Sequence, residues 1–75
     1  MTDSITYKVA HNGFFVKSLE RPTLNQAQSA IESYARSRGF AQEFRTHYFD
    51  VVESIYSEQD SVKTTATKEV FSTSY

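Results

Sequence analysis

His11 and His47 are the only side chains in this 75-residue sequence that ordinarily titrate near neutral pH. Any proton shuttle or imidazole ligand would have to use them. A structural zinc site needs four ligands, usually with two at short spacing on one element. Neither histidine lies in an H-x-x-x-H pattern, and the sequence has no cysteine. Two further ligands would have to come from scattered carboxylates, so no metal site is expected. The plainer reading makes both histidines exposed side chains packed on neighbouring aromatics. Asp50, Glu53, Glu58 and Asp60 form a loose acidic stretch. General acid–base work needs one carboxyl held dry, with a raised pKa, and nothing in the pattern implies burial. Ten serines occur without a G-x-S-x-G motif, and two glycines are too few for a phosphate-cradling loop. The reading is of a protein that is not an enzyme, with no catalytic residue, no metal and no cofactor.

Residues suited to binding are easier to find. Asn12-Gly13 lies between two alternating runs, and Asn-Gly suits the two positive-φ positions of a type I′ turn. A two-residue loop fixes the register. His11 then faces Phe14, Val9 faces Val16, Tyr7 faces Ser18 and Ile5 faces Glu20, on a mainly apolar side turned to the core. The other side carries Thr6, Lys8, Ala10, Phe15, Lys17 and Leu19. This register sets Lys8 opposite Lys17 with Phe15 diagonally beside them. Directly opposed like charges repel, so the trio reads as a contact surface for an acidic partner. The plainer alternative is that Asp50 or Glu53 of a neighbouring strand sits between the lysines, or that both ammonium groups splay into water.

The elements that position these residues follow from capping and periodicity. Thr23 and Gln26 form a Thr-x-x-Gln capping box after Pro22. Leu24, Ala27, Ile31, Tyr34 and Ala35 make a helical stripe. Glu32 and Arg36 have i,i+4 spacing, Arg36 and Arg38 suit the last turn, and Gly39-Phe40 forms a stop signal. The helix is placed at 24–38. Residues 44–57 combine four aromatics with Thr46, Val51, Val52 and Ile55, and their propensity predicts a strand with a bulge near Asp50. Phe44, Tyr48, Val51, Val52 and Ile55 also fit a helical face. Residues 57–61 read as a polar turn, 62–71 as a fourth strand, and 72–75 as a frayed end. The fold class is therefore α+β: one domain over 1–75, a two-layer ββαββ arrangement with hairpin 5–20 and one helix across one face of an antiparallel sheet. Its expected core is Ile5, Tyr7, Val9, Val16, Leu24, Ala27, Ile31 and Tyr34.

One helix covers only one side of a sheet. A third strand with Phe44, Tyr48, Val52 and Tyr56 on one side and Phe49, Val51 and Ile55 on the other must leave rings for something else to meet. Tyr48 and Tyr56, with Arg45 nearby, join Lys8, Phe15 and Lys17 as the expected partner-binding residues. Eight Lys and Arg balance nine Asp and Glu for a net charge of −1. A nucleic-acid binder ordinarily carries a basic excess, and Asp50 and Glu53 sit among the aromatics, so nucleic acid is a disfavoured partner. No apolar run approaches the ~18 residues of a membrane span. The Met1-Thr2-Asp3-Ser4 start has no charged-then-apolar leader, so a cytoplasmic setting without membrane contact is expected. A larger protein or complex is the expected partner. A homodimer packed sheet to sheet is the alternative.

The order of elements carries a resemblance. A hairpin precedes Thr23-Leu24-x-x-Ala27, then come eleven residues, Gly39-Phe40 and a strand. Over roughly residues 5–50 this layout resembles small bacteriophage proteins that disable host machinery. It is similar to the short coliphage inhibitor of bacterial RNA polymerase and to small sheet-plus-helix anti-CRISPR proteins. The resemblance implies a stoichiometric inhibitor that occupies a surface of a host protein or complex, such as RNA polymerase or a CRISPR-Cas defence complex. Where the polymerase inhibitor carries two arginines on the strand after the helix, this sequence has Arg45 and His47, one position out of step relative to Gly39. No target-binding residue is carried over.

Overall fold

A computed structural model of the chain describes residues 2–75. Its architecture is α+β: one helix packed against a four-stranded antiparallel sheet. The elements are β1 (Thr2–His11), β2 (Phe14–Phe15), α1 (Leu24–Arg38), β3 (Tyr48–Gln59) and β4 (Val62–Ser74), in the sheet order β2-β1-β3-β4. The ββαββ expectation therefore holds, with different element lengths.

The first hairpin closes as its turn residues dictate. Asn12 (φ 51°) and Gly13 (φ 88°) both take positive φ, and His11 pairs with Phe14 and Ala10 with Phe15. Val16 N–H still donates to the Val9 carbonyl at 2.8 Å, but the ladder then stops. Lys17–Leu19 forms a 3₁₀ turn, and the chain rejoins β1 at Arg21, which bridges to Tyr7. The expected pairs Lys8–Lys17, Tyr7–Ser18 and Ile5–Glu20 are thus absent, and the hairpin does not run to residue 20. Continued pairing would have left Leu19 on the uncovered side of the sheet. The turn rotates it inward, where only 6% of it is exposed.

Helix α1 has the expected ends. Thr23 Oγ1 accepts from Gln26 N–H at 3.2 Å, which is the hydroxyl arm of the capping box. Gly39 adopts φ 69° and donates its N–H to the Ala35 and Arg36 carbonyls. Ala27, Ala30, Ile31 and Ala35 are buried against Val9, Phe49 and Val51 of the sheet. Phe40, just past the glycine, is buried too.

After α1 a 3₁₀ turn (Phe40–Gln42) and an irregular segment precede β3, which starts at Tyr48 rather than near 44. β1 and β3 pair along the whole of β1, from Thr2–Glu58 to His11–Phe49. β3 and β4 pair from Tyr48–Ser74 to Gln59–Val62. The register shift between them falls at Val51/Val52, with Val70 as the extra residue on β4. The final residues are not frayed. Strand β4 continues to Ser74, and Tyr75 exchanges backbone hydrogen bonds with His47 at 2.9 and 3.0 Å.

Lengths decide what the helix covers. Fifteen helical residues span about 22 Å, whereas twelve strand residues span about 40 Å. The helix therefore roofs only the part of the sheet next to the first hairpin. The rest of β1, β3 and β4 projects beyond it and draws the molecule out to 50 × 19 × 17 Å. Ile5, expected in the core, lies on this projection and is 49% exposed. No helix is long and apolar enough to cross a membrane among the described residues.

The second hairpin turns through Asp60 (φ 52°) and Ser61 (φ 65°), two non-glycine residues in the left-handed region. Replacing them with Asn-Gly removes steric strain from the same type I′ geometry. The Asp60→Asn, Ser61→Gly variant is expected to be more stable by about 1 kcal/mol in urea denaturation. A loss of stability would show that this turn is not the I′ turn described.

Candidate functional site: the open sheet face and the histidine cluster

Alternation along the strands sorts the sheet into two faces. Val9, His11, Phe49, Val51 and Phe71 look toward α1. Lys8, Ala10, Asp50, Val52, Tyr56 and Glu69 look the other way, where no helix packs, although Ala10 is itself buried with 6% exposed. Phe15, paired with Ala10, shares that open face and is 63% exposed. So does Tyr48, which is 59% exposed. Four of the expected partner-binding residues, Lys8, Phe15, Tyr48 and Tyr56, thus lie on one surface.

Lys17 reaches the rim of this surface by a route the sequence did not reveal. It lies on the 3₁₀ turn, and with Lys8, Val9, Phe15, Val16 and Glu20 it lines a shallow hollow of ≈ 270 Å³. The Lys8–Phe15–Lys17 grouping survives, but the lysines are not cross-strand neighbours, and Glu20 adds a carboxylate to the lining of the hollow. Arg45 does not join them. It stands on the irregular segment before β3, near enough to His11 for its charge to act on that ring. Fully exposed Phe44 accompanies it, and Phe14, at the hairpin tip, is 79% exposed.

Asp50 and Glu69 share the open face at its β4 side, offset diagonally across β3 and β4. Hydrogen bonding between the two carboxyls, followed by their mutual repulsion, lifts the Glu69 pKa above its ordinary value. Neither makes an ion pair with a basic side chain among the described residues. On the covered face, Tyr7 Oη donates to Glu53 Oε2 at 2.8 Å, and this bond raises the tyrosine pKa.

The histidines form a cluster of their own under the helix end. His11 is stacked on Phe49 (4.7 Å between ring centroids), Phe40 (5.0 Å) and His47 (5.0 Å). His47 in turn stacks on Phe40 at 3.9 Å. The expectation that both rings pack on aromatics is met, but His47 is buried, with 4% exposure, rather than exposed. Glu43 Oε2 lies 2.7 Å from His47 Nε2, which must therefore be the protonated nitrogen in the donor role. His47 Nδ1 is then free to accept from His11 Nε2–H at 2.8 Å. The result is one ordered run of protons, His11 to His47 to Glu43. Burial lowers the His11 pKa, and the His47, Arg45 and Arg38 charges lower it further against an opposing effect of Glu43.

The three groups are linked to one another by hydrogen bonds. The facing ring nitrogens are already joined by a hydrogen bond, and no group of three ligating side chains suited to a metal occurs among the described residues. The sequence carried one sign of this cluster: alternation put His11 on the same side as Val9. The pairing with His47, 36 residues away, carried none.

No family model, no curated protein and no solved structure matches this chain.

Proposed function

We propose that this protein is a non-enzymatic binding module that covers a surface of a larger protein or complex with its open sheet face. The carrying observation is that Lys8, Phe15, Tyr48 and Tyr56 share the sheet face opposite the helix, with Phe15 63% and Tyr48 59% exposed. Exposed Tyr and Phe on a rigid sheet bury large area at little entropic cost. A standard interface takes about 800 Å² from each partner, roughly one-seventh of the 5383 Å² surface here. Occlusion on that scale is within reach of so small a molecule. The resemblance to bacteriophage inhibitors supports the same mode of action against a host assembly, RNA polymerase or a defence complex being the targets it suggests. The acidic pair Asp50–Glu69 on this face speaks against a phosphate backbone as its partner.

The test is affinity capture from bacterial lysate followed by mass spectrometry. A Phe15→Ala, Tyr48→Ala variant should lose the specifically captured protein, whereas Glu32→Lys, on the exposed side of α1, should retain it. Equal capture by both would remove the open face from the function.

A further inference from the structure

The long edge of β4 is open. Every residue from Val62 to Glu69 is exposed, and no helix, loop or proline covers or interrupts that run. Natural proteins seldom leave eight consecutive exposed edge residues unpaired. The two-residue turn makes Gln59–Val62 the first hydrogen-bonded pair of the second hairpin. Backbone groups of Val62, Thr64, Ala66 and Lys68 therefore point to β3. Those of Lys63, Thr65, Thr67 and Glu69 point outward.

The outward residues are self-complementary. In an antiparallel pairing of two copies centred on Ala66, Lys63 meets Glu69 of the partner subunit, and Thr65 meets Thr67 of the partner subunit. The two-fold axis repeats both pairs, and Ala66 meets its own symmetry mate. Shifting the centre by one residue either way sets Lys63 against the partner's Thr67 or the partner's Phe71, and the charge match is lost. The match also supplies what the open face lacks, because Asp50 and Glu69 form a carboxyl pair without a cation of their own.

We propose that this chain forms a homodimer by antiparallel pairing of β4 with β4 of a second copy, in the register that joins Lys63 to Glu69 across the interface. The axis runs normal to the sheet, because residues of the same parity face one another. The helices then lie on the same side, and the open faces merge into one eight-stranded surface. This differs from sheets packed face to face, which would hide Phe15 and Tyr48.

Charge-reversal mixing tests the register. Lys63→Glu and Glu69→Lys are each expected to weaken self-association about tenfold, since each creates two like-charge contacts. An equimolar mixture of the two variants is expected to recover a mass twice 8.6 kDa in sedimentation equilibrium, because every contact is again opposite in sign. A second measurement does not depend on charge. Ala66→Cys, in a chain without native cysteine, sits in a non-hydrogen-bonded pair with itself and should give a disulfide-linked dimer on mild oxidation. Thr65→Cys should not. A wild-type monomer at millimolar concentration would overturn the proposal. So would a dimer indifferent to both charge reversals, or equal cross-linking at the two cysteine positions.

Discussion

Phe49→Ala is expected to remove about 3–5 kcal/mol of stability, the range for truncating a fully buried aromatic. Phe49 is completely buried beneath α1. Its ring stacks on His11 and meets Tyr75 and Tyr34 edge to face at 5.8 and 6.1 Å. From β3 it thus touches β1, the helix and the last residue of the chain. At the usual ~0.05–0.15 kcal/mol per residue, a chain this short has a total stability of about 4–11 kcal/mol. The variant should therefore be largely unfolded at the low end of that range and have a much reduced urea midpoint at the high end. Tyr48→Ala, one position earlier and on the opposite face, serves as the control, with an expected change within ~0.5 kcal/mol. Losses of similar size for both residues would mean that the two faces are not distinct in the way described.

The second large effect is acid sensitivity. Burial and the nearby cationic groups hold the His11 pKa below its ordinary value of 6.5. Between that value and the folded-state pKa, the unfolded chain binds the extra proton and the folded chain does not. Stability is then fully present above pH 6.5 and declines as the pH falls through that window. A proton on His11 must be accommodated among Phe40, Phe49 and Tyr34, with the His47 ring hydrogen-bonded to it, the Arg38 and Arg45 guanidiniums as charged neighbours and Glu43 as the opposing one. The melting temperature should fall between pH 7.5 and 5. His11→Phe keeps a ring in the stack and removes the titrating group, so the fall should flatten or reverse. An unchanged slope in His11→Phe would assign the acid sensitivity to other groups.

Local rules carried much of the fold. Asn12-Gly13, the Thr23 cap, the stripe through Ile31 and the Gly39 stop each act within a few residues, and each appears in place. What failed was governed by contacts distant in sequence. The hairpin ladder breaks at Lys17 because Leu19 gains a buried site under a helix that lies further along the chain. Tyr75 is ordered because His47 offers it a strand-like partner, a match invisible from a Thr/Ser-rich tail. Phe44 fits a strand by propensity, yet the Glu43–His47 hydrogen bond belongs to a looped segment and β3 begins only at Tyr48. Of the surface residues, Lys8, Phe15, Tyr48 and Tyr56 follow from strand alternation, which is why they coincide. Arg45 does not, because it stands before the alternation starts.

The mismatch between a helix of four turns and strands of twice its length divides the molecule energetically. The backbone amides of Phe49 and Val51 lie beneath the helix on a strand that is paired on both sides. They should exchange with solvent deuterium only when the whole domain opens. Beyond Ser54, the amides of β3 and β4 that face a neighbouring strand rely on ladder bonds without a packed layer above them, and should exchange progressively faster toward Asp60. The far hairpin would then act as a separate opening unit, whose protection rises when anything lies along its edge.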